Sequence, residues 1–470
     1  MGLDIFAAAP LVAVTALAII VLVIEALVST GEKISFWTTV IGLIVCIGIA
    51  LRSLQHSGMA FNNMITVGGY GSFFATLFLV SALLSVVLSR DYMSKEHVNF
   101  GEFYLLILFA TIGMMLMAAA ADLIIIFLGL ELMSICLYVL AGFMRKRMIS
   151  NESALKYFLL GAFATGFLLY GIALLYGASG TTNIPSIIEK FPALSGSPLF
   201  WGGAALLMVG FAFKVGAVPF HMWVPDVYQG SPTTVSGFMS TGAKAAAFSA
   251  FVLVFAHEGF GEAQKIKTAL AVLAASSMIL GNIVAISQSN IKRMLAYSSV
   301  AHAGYMLAGL AAGNALGRTG ILFYLVTYTF MNIGAFGIVS LLEKEEEKNL
   351  TFDDYAGLGV KKPFLAAVMS VFMLSLAGIP PFAGFLGKYY VFLAAVNGDL
   401  TWLAIIGVLT SVISVYYYLR LIVVMFFQEG TMEFSTNSSS LSVAVLVIAV
   451  LIVIELGIFP SSILSLINTI

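Results

Sequence analysis

Apolar stretches of roughly 17 to 25 residues, the length a helix needs to cross about 30 Å of hydrocarbon, recur about 14 times along this 470-residue chain. They lie at approximately 5–28, 34–51, 70–89, 103–120, 122–142, 155–177, 199–224, 234–256, 267–288, 293–312, 320–342, 364–396, 401–427 and 441–459. With no water in the bilayer core, a spanning segment must satisfy its own backbone N–H and C=O groups, so each stretch reads as a helix. The expected fold is all-α, a polytopic integral membrane protein. Composition agrees: 61% hydrophobic and 10% charged residues, with a mean hydropathy of +1.05, leave too little polar surface for a soluble fold. The longest loops, 178–198 and 343–363, are about 21 residues each and too short for a receptor head or a fused catalytic domain. The amino-terminal Met-Gly-Leu-Asp lacks a basic region, which favours a first membrane helix over a cleaved signal.

The polar residues exclude several chemistries. Twenty-two basic against 23 acidic residues, with no long basic run, argue against nucleic acid as a partner. Cys46 and Cys136 sit in apolar stretches, so this chain alone builds neither a disulfide framework nor a cysteine-ligated iron–sulfur or zinc site. The histidines, His56, His97, His221, His257 and His302, offer no i,i+4 pair for a metal. Redox chemistry would therefore belong to another subunit. Lys and Arg divide 13 to 5 between loops after odd and even spans, which puts both termini on the non-cytoplasmic side.

An internal repeat emerges from the spacing. Spans four to eight start near 103, 122, 155, 199 and 234, and adding 162 lands within about nine residues of the starts of spans nine to thirteen. Gly216-Ala217-Val218-Pro219-Phe220 recurs at the same offset as Gly378-Ile379-Pro380-Pro381-Phe382. An odd number of helices per unit turns the second copy upside down, so the reading is two inverted five-helix repeats with spans seven and twelve broken, a pattern that points to a transport site near the midplane. The implied organisation is three helices in 1–102, the first repeat in 103–256, the second in 265–427 and a last helix in 428–470.

Charged groups inside spans are costly and are functional candidates by default. Glu131 lies mid-way along the fifth span. Lys214 precedes the Pro219 break, where freed carbonyls can solvate an ammonium. Lys244 sits among small residues in the eighth span, and Lys388 follows the second break. A Glu131–Lys214 pair that opens and closes makes a proton switch; the alternative for each is polar glue between helices. Gly387-Lys388 lacks the first glycine and the terminal Ser or Thr of a phosphate-binding loop, so ATP hydrolysis is not supported. His221, Lys292 and His302 are secondary candidates for a proton pathway. Arg293 reads as an interfacial anchor, Arg420 as paired or snorkelling, and Glu25, Asp226 and Glu455 as residues near span ends. The run Glu343-Lys344-Glu345-Glu346-Glu347-Lys348 reads as a solvated loop.

Two blocks carry a resemblance over essentially the whole chain. The first runs from Lys214 through Pro225-Asp226-Val227-Tyr228-Gln229-Gly230 to Ala243-Lys244-Ala245-Ala246. The second is Ser287-Gln288-Ser289-Asn290-Ile291-Lys292-Arg293-Met294-Leu295-Ala296-Tyr297-Ser298-Ser299. With these the chain resembles the antiporter-like membrane subunits of the proton-pumping NADH-quinone oxidoreductase, respiratory complex I, and among them the subunit N branch, which carries lysine at the position of Lys388 and lacks a long lateral helix. The resemblance implies a Glu131–Lys214 ion pair in a first half-channel, Lys244 bridging a central hydrophilic axis and Lys388 ending a second half-channel. It implies an enzyme subunit without its own cofactor, with flavin, iron–sulfur clusters and quinone in partner subunits. The expected partners are the antiporter-like subunits L and M, the small subunits K and J, and the lipid bilayer, in a bacterial inner membrane. The electron donor is NADH or ferredoxin on this reading. The alternative is a subunit of a multi-subunit cation/proton antiporter without redox chemistry.

Overall fold

Helices form where the apolar runs predict them, and their ends follow the breakers. The computed structural model describes residues 7–28, 31–98, 100–257, 259–261, 263–344, 350–430 and 439–470. The first three long helices are α1 (Ala9–Leu27), α2 (Gly31–Ser53) and α3 (Gly69–Lys95). Next come α4 (Glu102–Ala119), α5 (Leu123–Ala141), α6 (Met148–Ser179), α7 (Pro198–Val215) and α8 (Thr233–Phe255). They are followed by α9 (Gln264–Ile286), α10 (Ile291–Ala311) and α11 (Ala315–Leu342). The last four are α12 (Pro363–Ala377), α13 (Ala383–Asn397), α14 (Thr401–Phe427) and α15 (Ser440–Ile458). Among the described residues, 12 helices are long and apolar enough to cross a membrane, or 13 if the bent pair Asp353–Lys361 and Pro363–Ala377 counts as one span. The helix α10 is outside that set although it has 21 residues; Lys292, Ser298, Ser299 and His302 dilute its hydropathy, and neighbouring helices rather than lipid enclose it.

The arrangement has a centre and a rim. In α8 and α11, 94% of the spanning window is buried, against 28% in α1 and 33% in α15. The helix α8 packs on α3, α4 and α11, and the short helix Trp223–Gly230 packs between α6 and α10. The enclosed helices α8 and α11 carry buried polar side chains, among them Lys244, Thr327 and Asn332.

Both predicted breaks are present. Gly216 (φ 75°) and Gly378 (φ 85°) end α7 and α12 in the left-handed conformation that glycine adopts without steric cost. The peptide bonds Val218–Pro219 and Pro380–Pro381 are both cis. Space matters as well as φ: a Cβ at Gly378 would stand 2.9 Å from Lys388 Cδ, so the missing side chain leaves room for that lysine.

The structure corrects the sequence reading in three places. The chain is not wholly α: Ser57–Ala60 (β1) and Ile65–Gly68 (β2) form an antiparallel hairpin with Ser57 opposite Gly68. Its turn has Phe61, Asn62 and Asn63 at positive φ, a conformation asparagine tolerates better than most residues. The loop 178–198 is partly ordered as the helices Ile184–Glu189 and Phe191–Leu194, and Asn183 caps the first and bridges to Asp122. The third concerns Glu343, expected to be solvated but 1% exposed. Its carboxylate accepts hydrogen bonds from Thr233 Oγ1 and from Tyr92 OH (3.4 Å), while Lys95 Nζ donates to the carbonyls of Ser340 (2.9 Å), Leu341 (3.3 Å) and Glu343. These contacts tie α3, α8 and α11 together, which a charge run cannot reveal. Residues 345–348 of that run lie outside the described residues.

Candidate functional site

Among the described residues, four lysines are buried inside the bundle, and three of them, Lys214, Lys244 and Lys388, each meet a serine hydroxyl from a neighbouring helix. Lys214, on the last turn of α7, donates to Ser134 Oγ on α5 at 2.7 Å and to Tyr138 OH at 3.4 Å. Lys244, on α8, donates to the Ser299 carbonyl on α10 at 2.6 Å and to Ser299 Oγ. Lys388, on α13, donates to the Ala377 carbonyl at the end of α12 and to Ser411 Oγ on α14, both at 2.8 Å. Their residual exposures of 6%, 3% and 4% rule out snorkelling to the interface.

Glu131 does not touch Lys214 directly: no ion pair within 4.0 Å joins the two among the described residues. Its Oε1 is buried without a hydrogen-bond partner. Ser134 lies one helical turn beyond Glu131 on α5 and Tyr138 two turns beyond, so the lysine is engaged along the same face. Aromatic rings close the site: Lys214 Nζ lies 5.5 Å from the Tyr138 ring centroid and 5.7 Å from that of Tyr157, which stacks on Trp223 at 4.5 Å.

The middle and far sites form one chain of contacts. A single turn of π-helix, Met239–Ala243, widens α8 immediately before Lys244, a local irregularity that often accompanies a functional position. Ser298 shares a hydrogen bond with Tyr418 OH at 2.5 Å, and Tyr418 OH is 3.1 Å from His302 Nε2. The other ring nitrogen of His302 is 2.6 Å from Tyr324 OH. His302 packs edge-on to Tyr305 (centroids 5.5 Å apart), and the Tyr305 ring lies 5.0 Å from Lys388 Nζ. Tyr305 is held in turn by Asn282, which also accepts from Tyr417. His302 therefore stands between the Lys244 site, through Tyr418 and Ser298, and Lys388, through Tyr305. From Lys214 towards Lys244 run Tyr157, Trp223 and Tyr228: Tyr157 stacks on Trp223, and Trp223 meets Tyr228 edge-on with centroids 6.1 Å apart.

The other predicted residues separate. Lys292 is fully buried and donates to the Ser231 carbonyl at 2.8 Å, at the turn leading into α8. His221 is buried with Nδ1 unpartnered, and is not among the groups that hold Lys214. Asp226 is bridged by Lys156 (2.9 Å) and Arg293 (2.8 Å); burial alone would raise its pKa, but hydrogen bonds from these two cations outweigh that and hold the carboxyl below its usual range. Sequence reasoning missed Ser134, Ser299, Ser411, Tyr138, Tyr324 and Tyr418. A local signal existed for two: Ser134 falls at i+3 from Glu131, and Ser299 precedes His302 by three. Ser411 is 23 residues from Lys388 and only the packing of α13 on α14 brings it there.

Comparison with known proteins gives a consistent result. The family described as NADH:quinone oxidoreductase/Mrp antiporter, TM, matches residues 120–414. NADH-quinone oxidoreductase subunit N of Trichlorobacter lovleyi is 50% identical over 432 residues, covering 91% of this chain and 89% of the relative. NADH-quinone oxidoreductase subunit N 1 of Chloroherpeton thalassium is 46% identical over 458 residues, covering 96% and 95%. Among solved structures, a chain of respiratory complex I from Thermus thermophilus with bound aureothin superposes with a TM-score of 0.85 at 36% identity, covering 97% of this chain and 98% of that one.

Proposed function

The chain belongs to the NADH:quinone oxidoreductase/Mrp antiporter family of membrane subunits, and from that premise we propose that it is a proton-translocating, subunit N-type component of a NADH-quinone oxidoreductase. It is an enzyme subunit that moves protons while redox chemistry proceeds elsewhere; flavin, iron–sulfur clusters and quinone belong to partner subunits. Antiporter-like subunits L and M and the small subunits K and J are the proposed neighbours, in a bacterial inner membrane with both termini on the non-cytoplasmic side. The names of the relatives at 46–50% identity favour this over a stand-alone cation/proton antiporter.

The observation that carries the reading is the shared chemistry at Lys214, Lys244 and Lys388. A hydroxyl accepts from an ammonium and donates to an amine, so it serves the lysine in either protonation state. A carboxylate only accepts and would favour the charged form. Glu131, with an unsatisfied oxygen one turn from Ser134, provides the alternative partner for Lys214. In this reading the lysine moves between the hydroxyl and the carboxylate, and passes its proton towards Lys244, His302 and Lys388.

Counting α10 as a span, and α12 with α13 as one broken span, gives 14 crossings. The two units, 103–256 and 265–427, are proposed as inverted repeats flanked by 1–102 and 428–470. Matched packing supports this: α4 with α5, α6 with α7 and α4 with α8 in the first unit correspond to α9 with α10, α11 with α12 and α9 with α14 in the second. The functional assignment is tested by a double-mutant cycle on proton pumping with Glu131→Ala and Lys214→Ala. A shared switch makes the losses strongly non-additive, by about 0.5–3 kcal/mol; additive losses mean that the two residues act separately.

A further inference from the structure

A groove of about 770 Å³ opens on the side of the bundle between α7 and α9, where the two five-helix units meet. Trp201 and Lys265 stand at one end, with Lys265 Nζ 4.6 Å from the Trp201 ring centroid; Ala205, Met208 and Val272 line the wall and Phe220 the far end. The lining outside that end is almost entirely apolar. Lys265 lies in the first turn of α9, whose leading N–H groups have no side-chain cap and no acidic neighbour in that turn. The length is informative. From Trp201 to Val209 along α7, and from Gln264 to Leu273 along α9, the groove walls extend about 12–14 Å at 1.5 Å per residue. That is close to half of the roughly 30 Å hydrocarbon core, the depth of one leaflet. Tryptophan and lysine at one end of such a slot mark the headgroup level.

We propose that this groove is a binding site for one phospholipid with an anionic headgroup. Its phosphate sits at Lys265 and the start of α9, and an acyl chain runs along Ala205 and Val272 to Phe220. Phe220 directly follows Pro219, so the chain end seals the break in α7 from the membrane on the side away from Lys214. Cationic charge complements the headgroup, and the apolar wall complements the tail. A helix of a neighbouring subunit would leave Lys265 without an anionic partner unless that helix supplied one.

Occupancy is read by photo-crosslinking in native membranes. A benzophenone amino acid replaces Val272, which is 55% exposed and lines the groove, and the adduct is identified by mass spectrometry. The expected adduct is a phospholipid, with anionic headgroups enriched over the bulk membrane. One lysine at a membrane surface supplies about a fivefold preference, so Lys265→Glu should remove an enrichment of that size without reducing total lipid adduct. Ala205→Phe should fill the slot and reduce the lipid adduct itself. Adducts to a protein subunit overturn the proposal, and so does a lipid adduct whose headgroups match the bulk membrane with and without Lys265. Neither result bears on proton transfer, which the double-mutant cycle tests independently.

Discussion

Removing one hydroxyl at the first site separates the proposed switch from a static ion pair. Ser134 Oγ is the closest acceptor for Lys214 Nζ, at 2.7 Å, and the other, Tyr138 OH, is at 3.4 Å, near the limit of a useful hydrogen bond. A hydrogen bond to a charged donor contributes about 1.5–3 kcal/mol. Ser134→Ala therefore weakens the arrangement in which Lys214 is apart from Glu131 by about one to two powers of ten in population. The competing arrangement gains nothing from the change but becomes dominant: a Glu–Lys pair at 4 Å in an effective dielectric of about 20 attracts by about 4 kcal/mol before desolvation. The lysine is then held at Glu131. NADH-driven quinone reduction and proton translocation, measured together in sealed vesicles containing fully assembled complex, should fall about tenfold or more. Ser134→Thr keeps the hydroxyl on the same helix face and should retain most activity. Wild-type rates in Ser134→Ala would refute the reasoning, and so would a Thr variant as impaired as the Ala variant, which would indicate a packing effect.

Three further outcomes follow from other contacts. Lys388→Ala and Lys388→Arg should both assemble and both impair pumping, because alanine carries no proton and arginine does not release one; wild-type proton-to-electron stoichiometry in vesicles would remove Lys388 from the pathway. Glu343→Ala removes the carboxylate that accepts from the buried Thr233 hydroxyl, at about 1–3 kcal/mol for a buried polar group left unsatisfied, so the purified complex should inactivate at lower temperature, with Glu343→Gln milder because its amide oxygen still accepts. Asp226 has a depressed folded-state pKa, so its tie to Lys156 and Arg293 stabilises fully above the unfolded carboxyl range near pH 4 and is lost as pH falls through the folded value; Asp226→Asn should lower thermal stability at pH 7, and the gap to wild type should close only in strong acid.

The spans were legible because hydrocarbon imposes a length and a composition on each helix independently of its neighbours. The breaks at Gly216 and Gly378 were legible because proline and glycine act locally. Partners were much less so. The periodicity that makes a membrane helix apolar says nothing about which of its few polar side chains faces which neighbour, so Ser411 and Tyr418 were invisible as companions of Lys388 and His302. Glu343 failed for a related reason: its charged neighbours in sequence suggested water, while Lys95, Thr233 and Tyr92 reach it from α3 and α8 across more than 100 residues of chain. The hairpin of β1 and β2 was missed because a short loop between strong spans carries little hydropathic signal.

The partners that sequence could not supply also decide how the charges can work. A chain that only needed to bury Lys214, Lys244 and Lys388 could pair each with a carboxylate, yet breaking such a pair is costly because it leaves a buried charge uncompensated. Here Lys244 and Lys388 are held by hydroxyls and backbone carbonyls, and Lys214 by two hydroxyls. Each of those oxygens is neutral, so losing a proton from the lysine leaves no orphaned anion behind. The hydroxyl then turns from acceptor to donor without moving its helix. Glu131 is the exception, and its unsatisfied oxygen beside the Lys214 site makes the first position the one where a change of partner has the largest electrostatic effect. In the proposed pathway, Glu131 sets the direction of proton movement, while Lys244, His302 and Lys388 transmit it through groups that accommodate either protonation state.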